Sequence, residues 1–282
     1  MRLTGALLIA KKEYMDKVRN RWVLVLSILF LLASLALAYL GGTQAGTGLG
    51  FRDFRATVPV LGPVAVYLIP LVAIIMGHGS IAGEDESGAL QLVLSLPVTR
   101  TQVLLGKFLG LGAVLATTTL VGLGVTGAVV VAAAGTAYGD GYLVLVAVSL
   151  LVGLVFLSLS LFLSSVTHRR ATAIGGAVFM FFYFLAIYDL ILLGVLYATG
   201  WEFDLLNPGS VDFPDWAWAA MLASPLESST MAAYMAVGVT EMMGFRVVPP
   251  AFFTGWLVAV ALLAWMAVPL VLSFLFFRRR DL

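Results

Sequence analysis

Apolar residues run along this chain in long blocks, and the charged positions fall almost wholly between the blocks. A run of ~20 apolar residues is what a helix needs to cross a bilayer core. Six such spans are predicted, at about 22–41, 58–82, 103–134, 142–167, 171–198 and 251–277. Several exceed the minimum, so tilts or kinks are expected, with Pro63, Pro70 and Pro269 as the kink sites. Residues 1–21 show a different pattern. Leu3, Leu7, Ala10, Tyr14 and Val18 form one apolar stripe, while Lys12, Glu13, Asp16, Lys17 and Arg19 fall largely off it. That pattern predicts a helix lying in the headgroup plane.

Between the second and third spans stands GEDESGALQLVLSLPVTR, residues 83–100. Glu84, Asp85 and Glu86 suit a helix start, where the backbone dipole favours negative charge. Leu90, Val93 and Leu94 share a face, with Gln91 and Ser95 on the other. Pro97 ends the helix because it lacks an N–H and clashes with the preceding turn. Thr99 and Gln102 have capping-box spacing and start the next helix. Lys107 is expected to anchor that helix at the membrane interface. The prediction is a short helix over 84–97, rigidly joined to two spans and open to a partner.

Composition changes the picture little. The chain is 61% hydrophobic and 11% charged, far from the ~25% charged of soluble domains. The fold class expected is an all-α membrane protein, one transmembrane domain over 1–282. Net charge +1 gives no ground for a nucleic-acid partner. There is no cysteine, hence no disulfide or thiolate site. Residues 3–10 lack the flanks of a cleaved signal.

Charge placement sets orientation. Thirteen of the 16 Lys and Arg lie on one side: Arg2, Lys11, Lys12, Lys17, Arg19, Arg21, Arg100, Lys107, Arg169, Arg170 and Arg278–Arg280. Arg52, Arg55 and Arg246 lie on the other, among acidic loops. By the positive-inside rule both termini are cytoplasmic, in the cytoplasmic (inner) membrane of a prokaryote.

Candidate chemistry is sparse. No Gly-rich phosphate loop is present, so the chain is not read as an ATP-hydrolysing enzyme. Asp189 is an acid deep in the fifth span, which marks either function or an interhelical hydrogen bond. His78 and His168 have no partners at metal-ligand spacing and read as interfacial residues. Gly106 and Gly110 allow close helix contact without identifying the partner helix. In the segment 199–250, Asn207-Pro208-Gly209 signals a turn, Trp216 opens a helical stretch, and 226–238 reads as a second short helix. Met221, Met231, Met235, Met242 and Met243 also fall there. Thioethers favour Cu(I), but adaptable packing is the preferred reading, and no metal site is assigned. Pro225 and Glu227 are candidates for an outer gate.

Gly83-Glu84-Asp85-Glu86-Ser87-Gly88-Ala89-Leu90, Leu94-Ser95-Leu96-Pro97-Val98-Thr99-Arg100 and Leu105-Gly106-Lys107-Phe108-Leu109-Gly110 together resemble the coupling-helix region of ABC-2 type transporter permeases. Ile9–Tyr14 with Arg19–Trp22 resembles that family's N-terminal elbow helix. Tyr188–Leu193 and the long segment before the sixth span are most similar to the NosY-type branch, whose system serves nitrous oxide reductase maturation. Ser224-Pro225-Leu226-Glu227 departs from that branch, which tends to carry Asn-Pro there.

The resemblance implies a homodimer beneath which two ABC ATPase subunits bind ATP and Mg, with no cofactor in this chain. It implies that Glu84, Asp85, Glu86, Gly88, Leu90, Leu94, Pro97 and Arg100 couple to the ATPase. It leaves room for a periplasmic or extracellular partner. Export and mechanical signalling are both open, as is an unrelated lipid, drug or small-molecule substrate. An autonomous channel or secondary transporter is disfavoured by the few polar groups in the spans.

Overall fold

The computed structural model describes residues 3–44, 49–201, 213–238, 241–242, 245–246 and 248–279. The predicted turn Asn207–Gly209 and Met243 lie outside them. Helix α1 covers Leu3–Val18 and α2 Arg21–Gln44. Then come α3 (Phe54–Gly77), two short helices α4 (Ala82–Glu86) and α5 (Ala89–Ser95), α6 (Arg100–Ala134) and α7 (Gly139–Val166). The fifth span is α8 (Arg170–Phe182) and α9 (Tyr188–Ala198), joined by a π-helical turn at Tyr183–Ile187. After α10 (Asp215–Met221) and α11 (Pro225–Ala236), the last span is α12 (Gly255–Arg279). Glu241–Met242 and Phe245–Arg246 form a two-residue antiparallel ladder. Among the described residues six helical spans are long and apolar enough to cross a membrane, and the chain is an all-α membrane protein.

The spans divide into a core and a rim. About half of α3, α6 and α7 is buried, against a quarter or less of α2, the fifth span and α12. Small residues let the core helices close up. A Cβ on Gly153 of α7 would lie 2.6 Å from Ile69 and 2.7 Å from Leu115. Apolar side chains on the rim, such as Ile28, Leu190 and Val268, point outward. In lipid that exposure carries no hydrophobic penalty.

Helix α3 runs through Pro59, Pro63 and Pro70. Pro63 has no N–H, so the Pro59 carbonyl loses its intrahelical donor. The Tyr234 hydroxyl of α11 donates to that carbonyl at 3.4 Å. A short helix outside the six spans thus repairs a proline gap in a core span. The hydropathy pattern of the fifth span does not predict its π turn. The turn sits where Phe184 packs against Phe156, Tyr188 and Trp265.

Helix α1 departs from expectation. It packs lengthwise on α6 and runs in the same direction. Gly5 lies against Gln102, Ile9 against Gly106 and Ala10 against Gly110, and Tyr14 Oη is 3.3 Å from Thr117 Oγ1. The face turned to α6 is Ala6, Ile9, Ala10 and Glu13, whereas the predicted stripe residue Leu7 is 59% exposed. Gly106 and Gly110 explain the difference. A Cβ on Gly110 would lie 2.6 Å from the Ala10 carbonyl, so these glycines form the α1–α6 seam within one chain.

Candidate functional site

The site is built where the basic ends of the helices converge. Helix α3 ends at Gly77, pressed so close to α7 that a Cβ would meet Ser160 Oγ at 2.8 Å. The Ser164 hydroxyl of α7 then accepts from the backbone N–H groups of Ile81 (3.1 Å) and Ala82 (2.9 Å). One hydroxyl thereby supplies acceptors that the start of α4 lacks, and this fixes the direction in which α4 leaves the bundle.

The three acids of α4 go to three places. Glu84 turns inward, Asp85 Oδ2 lies 3.1 Å from His168 Nδ1, and Glu86 Oε2 accepts from the Arg170 N–H at 2.8 Å. They serve tertiary contacts, not only the helix dipole for which the sequence suggested them. Arg170 also donates from Nε to His78 Nε2 at 3.3 Å. That leaves His78 Nδ1 to carry the ring proton and donate to the Ile74 carbonyl at 3.1 Å.

Lys107 corrects the sequence reading most clearly. The sequence pattern predicts an anchor at the membrane interface, yet the side chain is 2% exposed within the protein. Its ammonium donates to Glu84 Oε1 at 2.6 Å and to Glu13 Oε1 at 2.8 Å. One lysine on α6 therefore joins α1 to α4. Glu84 Oε2 is buried with no hydrogen-bond partner among the described residues. Nearby on α1, burial pulls the Lys17 ammonium below its usual value, with Glu13 opposing that shift.

Ser87 and Gly88 divide the predicted single helix over 84–97 in two. Gly88 sits at φ 73°, a left-handed conformation that suits glycine. Beyond it, Leu90 is fully buried among Ile81, Val103, Leu104 and Phe277, with Val93 and Leu94 packed alongside. The outer edge carries Gln91, Ser95, Leu92 (73% exposed) and Leu96 (58% exposed). Leu96 is extended, as the residue before Pro97 should be. The capping box is present: Gln102 N–H donates to Thr99 Oγ1 (3.3 Å) and Thr99 N–H to Gln102 Oε1 (2.8 Å). Arg100 reaches the end of α12, donating to the carbonyls of Phe277 (3.0 Å) and Arg278 (3.2 Å). Its positive charge there suits a helix C-terminus.

The other predicted residues lie toward the far end. Asp189 is in the first turn of α9, and Tyr188 beside it donates to the Ala220 carbonyl at 2.6 Å. Pro225 is at the start of α11, where Ser224 Oγ caps the Glu227 N–H at 3.3 Å. Burial pushes the Glu227 carboxyl up to about 7, with Asp189 adding to the shift. Met221 and Met231 are buried in the main core. Among the described residues no His, Cys, Asp and Glu group could hold a metal ion.

The site is a clamp of charge pairs around a short segment with an exposed apolar edge. A sequence profile described as "ABC-2 family transporter protein" matches residues 7–282. A protein of Stutzerimonas stutzeri named "Probable ABC transporter permease protein NosY" is 35% identical over 284 residues, 96% of this chain and 97% of that one. A protein of the same name from Pseudomonas aeruginosa is 35% identical over 291 residues, 97% and 98% of the two chains. With that family match over nearly the whole length, the chain belongs to the ABC-2 family of transporter proteins.

Proposed function

We propose that this chain is the permease subunit of an ATP-driven transporter, and that the segment 84–97 receives the motion of a separate ATPase. ATP and Mg bind to that ATPase, and two copies of the chain form the membrane unit. The charge split supports a cytoplasmic clamp and cytoplasmic termini. The finer reading is a NosY-like subunit that serves copper-enzyme maturation by export or by mechanical signalling to an outer partner. It rests on the resemblance at Tyr188–Leu193 and on the two NosY relatives.

One observation carries the coupling role. Leu92 and Leu96 are exposed on a segment whose other side is fixed through Glu84, Leu90 and Arg100 to α6 and α12. A push on that edge is delivered to the spans because the inner face has little freedom to yield. The division of labour within the segment follows. Leu92, Leu96 and Pro97 form the docking edge, while Glu84, Leu90, Leu94 and Arg100 hold the segment in place.

The test is co-purification with the ATPase and its ATP turnover. Leu92→Asp with Leu96→Asp should lose ATPase binding while the chain stays monodisperse and folded. Leu90→Asp should instead fail to fold, because it buries an unpaired charge. Unchanged ATPase binding by the Leu92/Leu96 double variant would defeat the proposal.

A further inference from the structure

We propose that the groove between α2 and α6 at the charged end is a binding site for an anionic phospholipid. The acyl chain would lie in the groove and the headgroup against Arg19 and Arg21. Tyr14 of α1 touches Thr117, and Ser27 of α2 touches Thr118, the next residue of α6. The 13 residues of chain from Tyr14 to Ser27 (27 − 14) cannot lie flat between two such close contacts. The α1–α2 joint therefore stands off α6 and leaves a groove of about 230 Å³. Val23, Leu24, Ile28, Val114 and Val121 form most of its wall.

The wall has little use for a polar ligand. Ser27 Oγ donates to the Val23 carbonyl and contacts Thr118, and Thr117 Oγ1 donates to the Ala113 carbonyl. The hydroxyls are thus engaged within the protein, and what faces outward is hydrocarbon. Leu24, Ile28 and Val121 are each more than two-fifths exposed, so the groove opens to the lipid side of the bundle.

Its mouth has the opposite chemistry. Val18 lines the groove, and Arg19, Asn20 and Arg21 follow directly at the joint. Arg19 and Arg21 are both exposed, and neither takes part in an ion pair among the described residues. Asp16, the acid nearest in sequence, is 3.8 Å from Lys12. Two exposed arginines in the joint between Val18 and Val23, both of which line the apolar slot, suit a lipid phosphate with its own acyl tail. A soluble anion would gain nothing from the slot. The site does not depend on the coupling role of 84–97.

The experiment uses the full chain in mild detergent, equilibrated with equimolar phosphatidylglycerol and phosphatidylcholine, with retained lipid read by native mass spectrometry. The expected result is an enrichment of phosphatidylglycerol on the order of tenfold, given two basic side chains at the surface. Arg19→Gln with Arg21→Gln should abolish the preference while lipid is still retained. Val121→Phe should fill the groove and lower retention of both lipids, with an unchanged melting temperature as the control for folding. Equal retention of the two lipids by the natural chain would overturn the proposal. So would a preference that survives in the Arg19/Arg21 double variant. Efficient disulfide formation by Leu24→Cys in vesicles would overturn it too, since a second copy would then occupy the groove.

Discussion

Lys107 Nζ and Glu84 Oε1 are 2.6 Å apart across 23 residues of chain, and the lysine is almost wholly buried. Removing the cation strands two carboxylates. Lys107→Met should therefore destabilise the fold by about 3–5 kcal/mol, the usual cost of breaking a buried ion pair from one side. Adding Glu13→Gln and Glu84→Gln should recover much of the loss, because the neutral set has no charge left to compensate. Thermal unfolding of the single and triple variants in one detergent decides the matter. Equal melting of the two would show that the charges are not coupled.

The α1–α6 seam predicts a contrast between two glycines of the same helix. Gly110→Ala would press a methyl group against the backbone of Ala10 and should cost about 1–3 kcal/mol, the range for overpacking. Gly124→Ala meets nothing within 4 Å and should be neutral or slightly stabilising. Limited proteolysis near residues 19–20 would report whether α1 lifts off in the first variant and stays in place in the second.

Glu227 predicts a pH dependence with a definite sign. Its folded value is raised to about 7 by burial, from an ordinary value of 4.5. The folded state thus binds more protons than the unfolded state between these limits. Stability falls as pH rises through that window, because an ionised carboxylate must then be kept out of water. Asp189, Tyr67, Tyr188 and Tyr234 are within electrostatic reach of it. Glu227→Gln should flatten the melting temperature between pH 5 and pH 7 (about two units centred below the raised value). A slope unchanged in that variant would assign the effect to another group.

Orientation can be read against no thiol background, since the chain has no cysteine. Gly139→Cys should react with an impermeant maleimide added outside intact cells. Ser87→Cys and His168→Cys should react only after permeabilisation. Labelling of Ser87→Cys from outside would invert the proposed topology.

Features with local causes were legible in the sequence. Six apolar runs gave six spans, and Thr99 and Gln102, three residues apart, gave a capping box that is present atom for atom. Features made by distant partners were not legible. Lys107 looked interfacial because nothing near it in sequence reveals Glu13, 94 residues away. Gly106 and Gly110 advertised a close contact but could not say with which helix. The face of α1 was legible only in part for the same reason: Ala10 and Tyr14 of the apolar stripe do meet α6, while the glycine seam also takes in Ala6 and Ile9 and leaves Leu7 exposed. Helix-start preference accounts for acids at 84–86, but Ser164, far along the chain, fixes the direction in which α4 leaves the bundle.

The length of α6 has a mechanical consequence. Its 35 residues make a rod of about 52 Å, well beyond a ~30 Å hydrocarbon core. Helix α7 comes close at Gly112, with Leu154 3.1 Å from a Cβ placed there, and closer still at Gly127, with Tyr142 at 2.6 Å. The two contacts lie 15 residues apart (127 − 112), about 22 Å along the rod. Held at two levels, α6 has no single pivot against α7. A shift of about 2 Å at the end held by Lys107 and Arg100 is therefore passed along the rod as a slide or a turn about its own axis, the scale on which helices move at packed interfaces.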